Sequence, residues 1–383
     1  MTQPKTNAER AIELHRKLRG KIEIHSKTPI NTMEDLALVY TPGVGAVSSL
    51  IAEDPTQTDL LTWRKNTVAI VSDGTAVLGL GDIGPEAALP VLEGKSAIFK
   101  AFAGIDAVPI ILATKDPEEI IRTVEILAPS FGAIQLEDIS APRCFHIERE
   151  LERRLSIPVM HDDQHGTAIV VLAGLLNAVK VVGKELGEIH VVLNGAGAAG
   201  VAIARLLTTA GVRYLIMCDR KGAIYEGRDG LNEEKIEVAK ITNKEKKKGS
   251  LADVSVQADV LIGVSAPGTF TRGIIQSMAD APIVFALANP VPEILSEEAR
   301  DLGVAVLATG RSDFPNQVNN ALCYPGLFRG MFDSGVEHVS DEIKLRAAHA
   351  IADSVASPTK DSIISTMFEP GLHTRVAESV KNA

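Results

Sequence analysis

Two pairs of adjacent carboxylates carry the most chemistry in this chain: Glu137-Asp138 in IQLEDIS and Asp162-Asp163 in VMHDDQHGT. Each follows a short apolar run, and in parallel α/β sheets ligands bind beyond the carboxyl ends of strands. Four carboxylates brought together repel one another unless a cation sits among them. An all-oxygen donor set selects magnesium or manganese over softer metals. Either pair alone has a plainer explanation as a helix cap or a solvated loop, and Asp163 is placed to cap a helix expected from Gly166. His161 and His165 raise a zinc alternative, but the intervening Asp-Asp-Gln is not the HExxH arrangement of a zinc helix. Hydrogen bonding to nearby carboxylates or backbone is the expected role of both histidines.

A second constellation lies in Glu188–Gly200, EIHVVLNGAGAAG. An apolar strand runs into Gly195-x-Gly197-x-x-Gly200, with Ala198 at the mouth of the following helix. The glycines permit a tight turn and close approach to a pyrophosphate, and the helix N-terminus offers unpaired N–H groups and a favourable dipole. Asp219 ends the next apolar run, where an acid suits the ribose hydroxyls. Arg220 and Lys221 follow at once, and a neighbouring arginine accommodates a 2′-phosphate. The stretch therefore signals both NAD and NADP, with Asp219 leaning toward NAD.

The elements that must position these groups alternate short apolar runs with helical segments. Strands are expected at 66–72, 107–113, 132–136 and 157–161, with helices near 87–103 and 117–127. A helix over 166–182 keeps Ile169, Leu172, Leu176 and Val179 on one face. Further strands are expected at 188–193, 214–219, 259–264, 283–288 and 304–308, and helix predominates after about residue 315. The fold class is α/β: an N-terminal metal and substrate domain (1–163), a Rossmann-like doubly wound parallel-sheet domain (164–315), and a C-terminal helical segment (316–383) packing back on the first domain. The charge-dense NKEKKKG at 243–249 reads as a solvated helix end.

Composition narrows the function classes. A net charge of −10 over 383 residues lacks the basic footprint that nucleic acid demands. Cys144, Cys218 and Cys323 are widely spaced, so neither a disulfide framework nor a thiolate zinc site is implied, and a reducing cytoplasm is expected. The N-terminus lacks the apolar region of a signal peptide, and no uninterrupted apolar run of spanning length is evident, so no membrane association is expected.

Taken together, these segments resemble the malic enzymes, in particular the small-subunit bacterial and archaeal type. The resemblance rests on VYTPGVGAV (39–47), VSDGTAVLGLGDIG (71–84), LEGKSAIFKAFAGI (92–105), IQLEDI, VMHDDQHGTA, NGAGAAG, FALANP (285–290) and GRSDFPNQVNN (310–320). It covers nearly the whole chain, in order. It implies oxidative decarboxylation of malate to pyruvate with NAD or NADP and Mg2+ or Mn2+. By position it implies Tyr40 as general acid, Lys95 as general base and Asp162 as a carboxylate beside that lysine. Glu137, Asp138 and Asp163 become metal ligands, while Asn289 and Asn320 contact the substrate or the nicotinamide. Burial and the neighbouring cation are expected to lower the Lys95 pKa, while Asp162 opposes that shift and orients the amine. A homodimer, with an active site shared between subunits, is implied as well.

One departure matters. The large-subunit enzymes carry an arginine in the DGxRxLGLGD segment that grips a substrate carboxylate, and here that position is Ala76. Backbone amides of the Gly43 or Gly74 loops are the expected substitutes. Two other readings of the residues stay open at this stage: a 2-hydroxy-acid dehydrogenase without decarboxylation, and a nucleotide-binding regulatory module without turnover.

Overall fold

The structure is a computed structural model that describes residues 5–381, so the outermost residues of the expected 1–163 and 316–383 segments lie outside the described residues. The first sheet is parallel and contains β1 (Thr67–Ser72), β2 (Asp106–Ile111), β3 (Ala133–Leu136) and β4 (Val159–His161), in the order β2-β1-β3-β4. Apolar runs such as TVAIVS are buried at every position, as expected of parallel strands covered on both faces.

The second sheet contains β5 (His190–Asn194), β6 (Tyr214–Asp219), β7 (Gly222–Ala223), β8 (Val260–Gly263), β9 (Ile283–Ala286) and β10 (Val306–Thr309). Its order is β10-β9-β8-β5-β6-β7, parallel except for β7 on β6. Strand order reverses at β5, which opens a crevice at its carboxyl end. The two-residue β7 was not expected from the sequence, being too short to leave a periodic signal.

Between the sheets runs the helix Asp162–Val182, mostly buried and packed on Ala198–Thr209 and Asp341–Ala352. It starts at Asp162 rather than Gly166, so Asp162 and Asp163 lie in its first turn, where the helix dipole favours negative charge. At 21 residues and a mean hydropathy of 1.7, it is long and apolar enough by composition to cross a bilayer. Burial on nearly all sides explains that composition. Met33–Glu53 passes the same test, but it breaks near Tyr40–Gly43 into the helices Met33–Val39 and Val44–Glu53.

The helices Tyr324–Ser334 and Leu372–Lys381 pack against each other and on helix Pro85–Ala103 of the first domain, as expected. Arg329 donates to Asn66 at 2.8 Å across that contact. The first helices are held differently. Capping boxes at Thr6/Glu9 and Thr32/Asp35 start Asn7–Leu18 and Met33–Val39, yet these helices and Val44–Glu53 bury no residue. Ile12, Leu18, Met33, Leu38, Leu50 and Leu60 all stand exposed.

Candidate active site

Strand register brings the acids together. β3 pairs with β4 through Leu136↔His161, so Glu137-Asp138 and Asp162-Asp163 leave adjacent strands side by side. Ligand oxygens of Glu137, Asp138 and Asp163 all lie within 4.8 Å of one another. Asp138 occupies the left-handed region at φ 52°, and its N–H donates to Asp163 Oδ2 at 2.9 Å. Asp138 Oδ2 is buried with no protein partner. Burial, then the Asp163 charge, pushes the Asp138 carboxyl up to about 7. Burial, with Asp163 and Asp162, also pushes Glu137 well up despite the opposing pull of Lys95. Three crowded carboxylates and an orphaned oxygen are the donor set a hard divalent cation fits.

Lys95, on helix Pro85–Ala103, reaches the same cluster. Its Nζ pairs with Asp162, lies 3.0 Å from Glu137 and sits 4.8 Å above the Tyr324 ring. The expected lowering of its pKa is not what the chain alone produces. Burial does press the ammonium down, but Asp162 and Glu137 outweigh it and hold Lys95 well above the ordinary lysine value. Asp162 is wholly buried and also accepts from Asn320 Nδ2 at 3.1 Å. A Cβ at position 166 would stand 2.0 Å from Asp162 Oδ1, so Gly166 makes room for that carboxylate.

Both histidines have carboxylate neighbours. His165 lies 3.1 Å from Glu148 and His161 lies 3.2 Å from Asp163. Burial works to raise the Glu148 carboxyl, but His165 and the surrounding donors hold it at about 2.

In the second domain, Gly195 adopts φ 125°, and a Cβ at Gly200 would lie 1.9 Å from the Gly195 carbonyl oxygen. A Cβ at Gly197 would meet open space, which leaves that face of the turn clear for a pyrophosphate. Helix Ala198–Thr209 begins there without a side-chain cap, so the first-turn amides at Ala198 remain available to an anion. Asp219 accepts from the Lys221 N–H at 2.9 Å, and its Oδ2 is held by Arg228 and by Lys235 at 2.8 Å. Arg220 is exposed and makes no ion pair among the described residues. Sequence reasoning missed Arg228 and Lys235, which reach Asp219 only through the β6–β7 turn and the helix Glu233–Ile241.

Two expectations fail. The Gly74 loop amides are already engaged: Gly74 with Ser72, Thr75 with Asp73, and Ala76 with the Asp138 carbonyl. The Gly43 amide is spent on the Ala37 carbonyl and its successors on their own turn. Those amides are not free to take the place of the arginine absent at Ala76. Tyr40, at the end of helix Met33–Val39, is 64% exposed, and its hydroxyl makes no hydrogen bond among the described residues. Asn289 lies beside Gly310, whose Cβ would stand 2.8 Å from Asn289 Nδ2. Tyr324, also missed, is buried under Lys95 with its hydroxyl unpartnered.

Comparison with known proteins follows the same two halves. The family model described as "Malic enzyme, N-terminal domain" matches residues 19–152, and "Malic enzyme, NAD binding domain" matches 164–370. An NAD-dependent malic enzyme of Geobacillus stearothermophilus is 55% identical over 98% of this chain and 78% of its own length. An NADP-dependent malic enzyme of Halomonas elongata is 45% identical over 100% of this chain and 94% of its own. A crystallised NAD-dependent malic enzyme from Thermotoga maritima superposes with a TM-score of 0.94 at 48% identity, covering 97% of this chain and 98% of that one.

Proposed function

The chain belongs to the malic enzyme family, and from that premise we propose how its own residues divide the work. The reaction is the oxidative decarboxylation of malate to pyruvate and carbon dioxide with reduction of NAD(P). Family membership over both halves sets aside the non-decarboxylating dehydrogenase and the inactive module.

The observation that carries the residue assignment is the β3–β4 register, which faces two acid pairs toward Lys95. Glu137, Asp138 and Asp163 hold a divalent cation, Mg2+ or Mn2+. A cation held there would supply Lewis acidity toward the substrate's oxygens, and a nicotinamide in the second domain would supply the hydride acceptor. Asp162 and Glu137 hold Lys95 as an ammonium, so it acts as the base only once a bound cation engages Glu137 and the amine has given up its own proton. It then accepts the hydroxyl proton of malate, with Asp162 and Asn320 fixing the amine. Loss of the distal carboxylate leaves an enolate, and Tyr40 returns a proton to it, giving pyruvate. Asn289 orients substrate and nicotinamide. Gly195, Gly197, Ala198 and Gly200 cradle the pyrophosphate.

Both nucleotides are accepted, with NAD preferred. Asp219 Oδ1 keeps a lone pair for a ribose hydroxyl. Arg228 and Lys235 set two cations against that one anion, which lessens the repulsion of a 2′-phosphate. Arg220 contributes at the exposed rim.

We further propose a homodimer in which the partner's Tyr40 serves this chain's Lys95 site. Helices that bury nothing, with an apolar exposed surface and an unpartnered Tyr40, support this reading. The division at 1–163, 164–315 and 316–383, hinged on helix Asp162–Val182, and a cytoplasmic location suited to three free buried cysteines complete it.

The test supplies purified protein with malate, Mn2+ and each nucleotide. Reduced cofactor and pyruvate are expected in equal amounts, and reduced cofactor without carbon dioxide would overturn the reaction. Mixing inactive Tyr40→Phe and Lys95→Ala proteins is expected to restore part of the activity through hybrid dimers. No recovery after verified subunit exchange would refute the shared site.

A further inference from the structure

We propose that Glu293 is the positioning residue for the nicotinamide end of the cofactor pocket, a single buried carboxylate that ties the loop after β8 to the loop after β9. The inference rests on the reading that Asn289 stands at the nicotinamide. Topology locates that end: the pyrophosphate turn follows β5 and Asp219 lies on the β6 side, so the cofactor's other half extends over β8 and β9.

Glu293 is fully buried. Its Oε1 accepts from the Ser265 N–H at 2.9 Å, and its Oε2 accepts from the Ala288 N–H at 2.9 Å. Its own carbonyl accepts from the Phe270 N–H at 3.1 Å. The β8 strand yields space for it, since a Cβ at Gly263 would lie 2.4 Å from Glu293 Cδ. Among the described residues no cation pairs with this carboxylate, and burial pushes its carboxyl up against the two amides. Removing an unpaired carboxylate from water is costly, so its oxygens are held to their two donors.

Both donors adjoin residues assigned to the cofactor. Ser265 Oγ accepts from Asn194 Nδ2 at 2.8 Å, immediately before Gly195. The neighbouring Val264 carbonyl would stand 2.5 Å from a Cβ at Gly195. Ala288 directly precedes Asn289, whose carbonyl presses on the first domain at Gly79, where a Cβ would lie only 1.8 Å away. Glu293 thus sets the pyrophosphate turn and Asn289 relative to each other, without touching the reacting atoms.

Glu293→Gln keeps the shape but turns an NH2 toward one of the backbone N–H groups, releasing one loop. The expected result is a rise of about tenfold or more in KM for NAD(P), and a matching loss in NADH affinity by fluorescence titration. Mn2+ affinity and metal-dependent oxaloacetate decarboxylation should stay within about twofold, because the acid cluster is untouched. Glu293→Asp keeps the charge but is too short to span both amides, so it should behave like Glu293→Gln. Unchanged nucleotide affinity in both variants, or a parallel loss of decarboxylation and Mn2+ binding, would overturn the proposal. Wild-type protein that binds NADH but makes no pyruvate from malate would instead refute the underlying reaction.

Discussion

At the end of β3, Asp138 is pushed up to about 7 by burial and by Asp163, and one of its oxygens has no partner. At the end of β6, Asp219 also loses water, yet Arg228 and Lys235 outweigh that loss and hold it at about 2. Both acids follow parallel strands, at the edge where such sheets bind ligands. In the nucleotide domain the protein supplies the counter-charge itself, leaving Asp219 ionised as a fixed hydrogen-bond acceptor. Among the described residues of the first domain, Lys95 and His161 are the cations that face the cluster, and compensation is left to a ligand. An acid compensated from within recognises its ligand, whereas an uncompensated cluster captures a cation.

The largest expected effect comes from removing one member of the uncompensated cluster. Asp163→Ala should reduce malate oxidation and oxaloacetate decarboxylation alike to background, since both need the cation. Retained activity in a chelator, with metal verified absent, would break the comparison on its first side. Gly200→Ala tests the other side. Its Cβ would lie 1.9 Å from the Gly195 carbonyl, so the turn must shift. Malate oxidation should fall by about 10²-fold while oxaloacetate decarboxylation survives. Equal losses in both reactions would mean the two halves are not separable.

The compensated acid gives smaller effects. Lys235→Gln should lower relative use of NADP by about tenfold in kcat/KM, and Asp219→Ala should raise it. An unmoved ratio in both would locate ribose recognition elsewhere. Smallest is a structural acid outside either site. Burial and Glu148 push Glu152 from an ordinary 4.5 up to about 7. Between those values the folded chain holds a proton that the unfolded chain has released. Its contribution to stability is therefore full below about pH 4.5 and is lost as pH rises through 7. Glu152→Gln should stabilise the protein at pH 8 by about 1 kcal/mol, discounted for partial solvent access, and by nothing at pH 4. Thermal melts at the two pH values check the sign.

Much of this was legible because it is local. The β6 strand at 214–219 and the helix over 117–127 fall where their apolar periods put them. The glycine turn and both acid pairs announce themselves within a few residues. What escaped depends on contacts made far along the chain. Arg228 and Lys235 lie 9 and 16 residues from Asp219 and meet it only after β7 folds back. Glu293 looks like an ordinary surface acid until Gly263 gives it space. The Gly74 amides seemed free because nothing local reveals that Asp138 takes the Ala76 N–H. Tyr40 was assigned by position in a pattern, which says nothing of which subunit's site it serves.

The most direct test of the contrast between captured and built-in charge is proton release on Mn2+ binding. Calorimetric titrations at pH 7 in buffers of different ionisation enthalpy report it without any turnover. An acid cluster that holds protons when no cation compensates it must give them up to bind one. The account predicts one Mn2+ per chain with net proton release, affinity rising with pH through about 7, and loss of binding in Asp163→Ala. Stoichiometric Mn2+ binding with no proton release, or binding retained in Asp163→Ala, would contradict it.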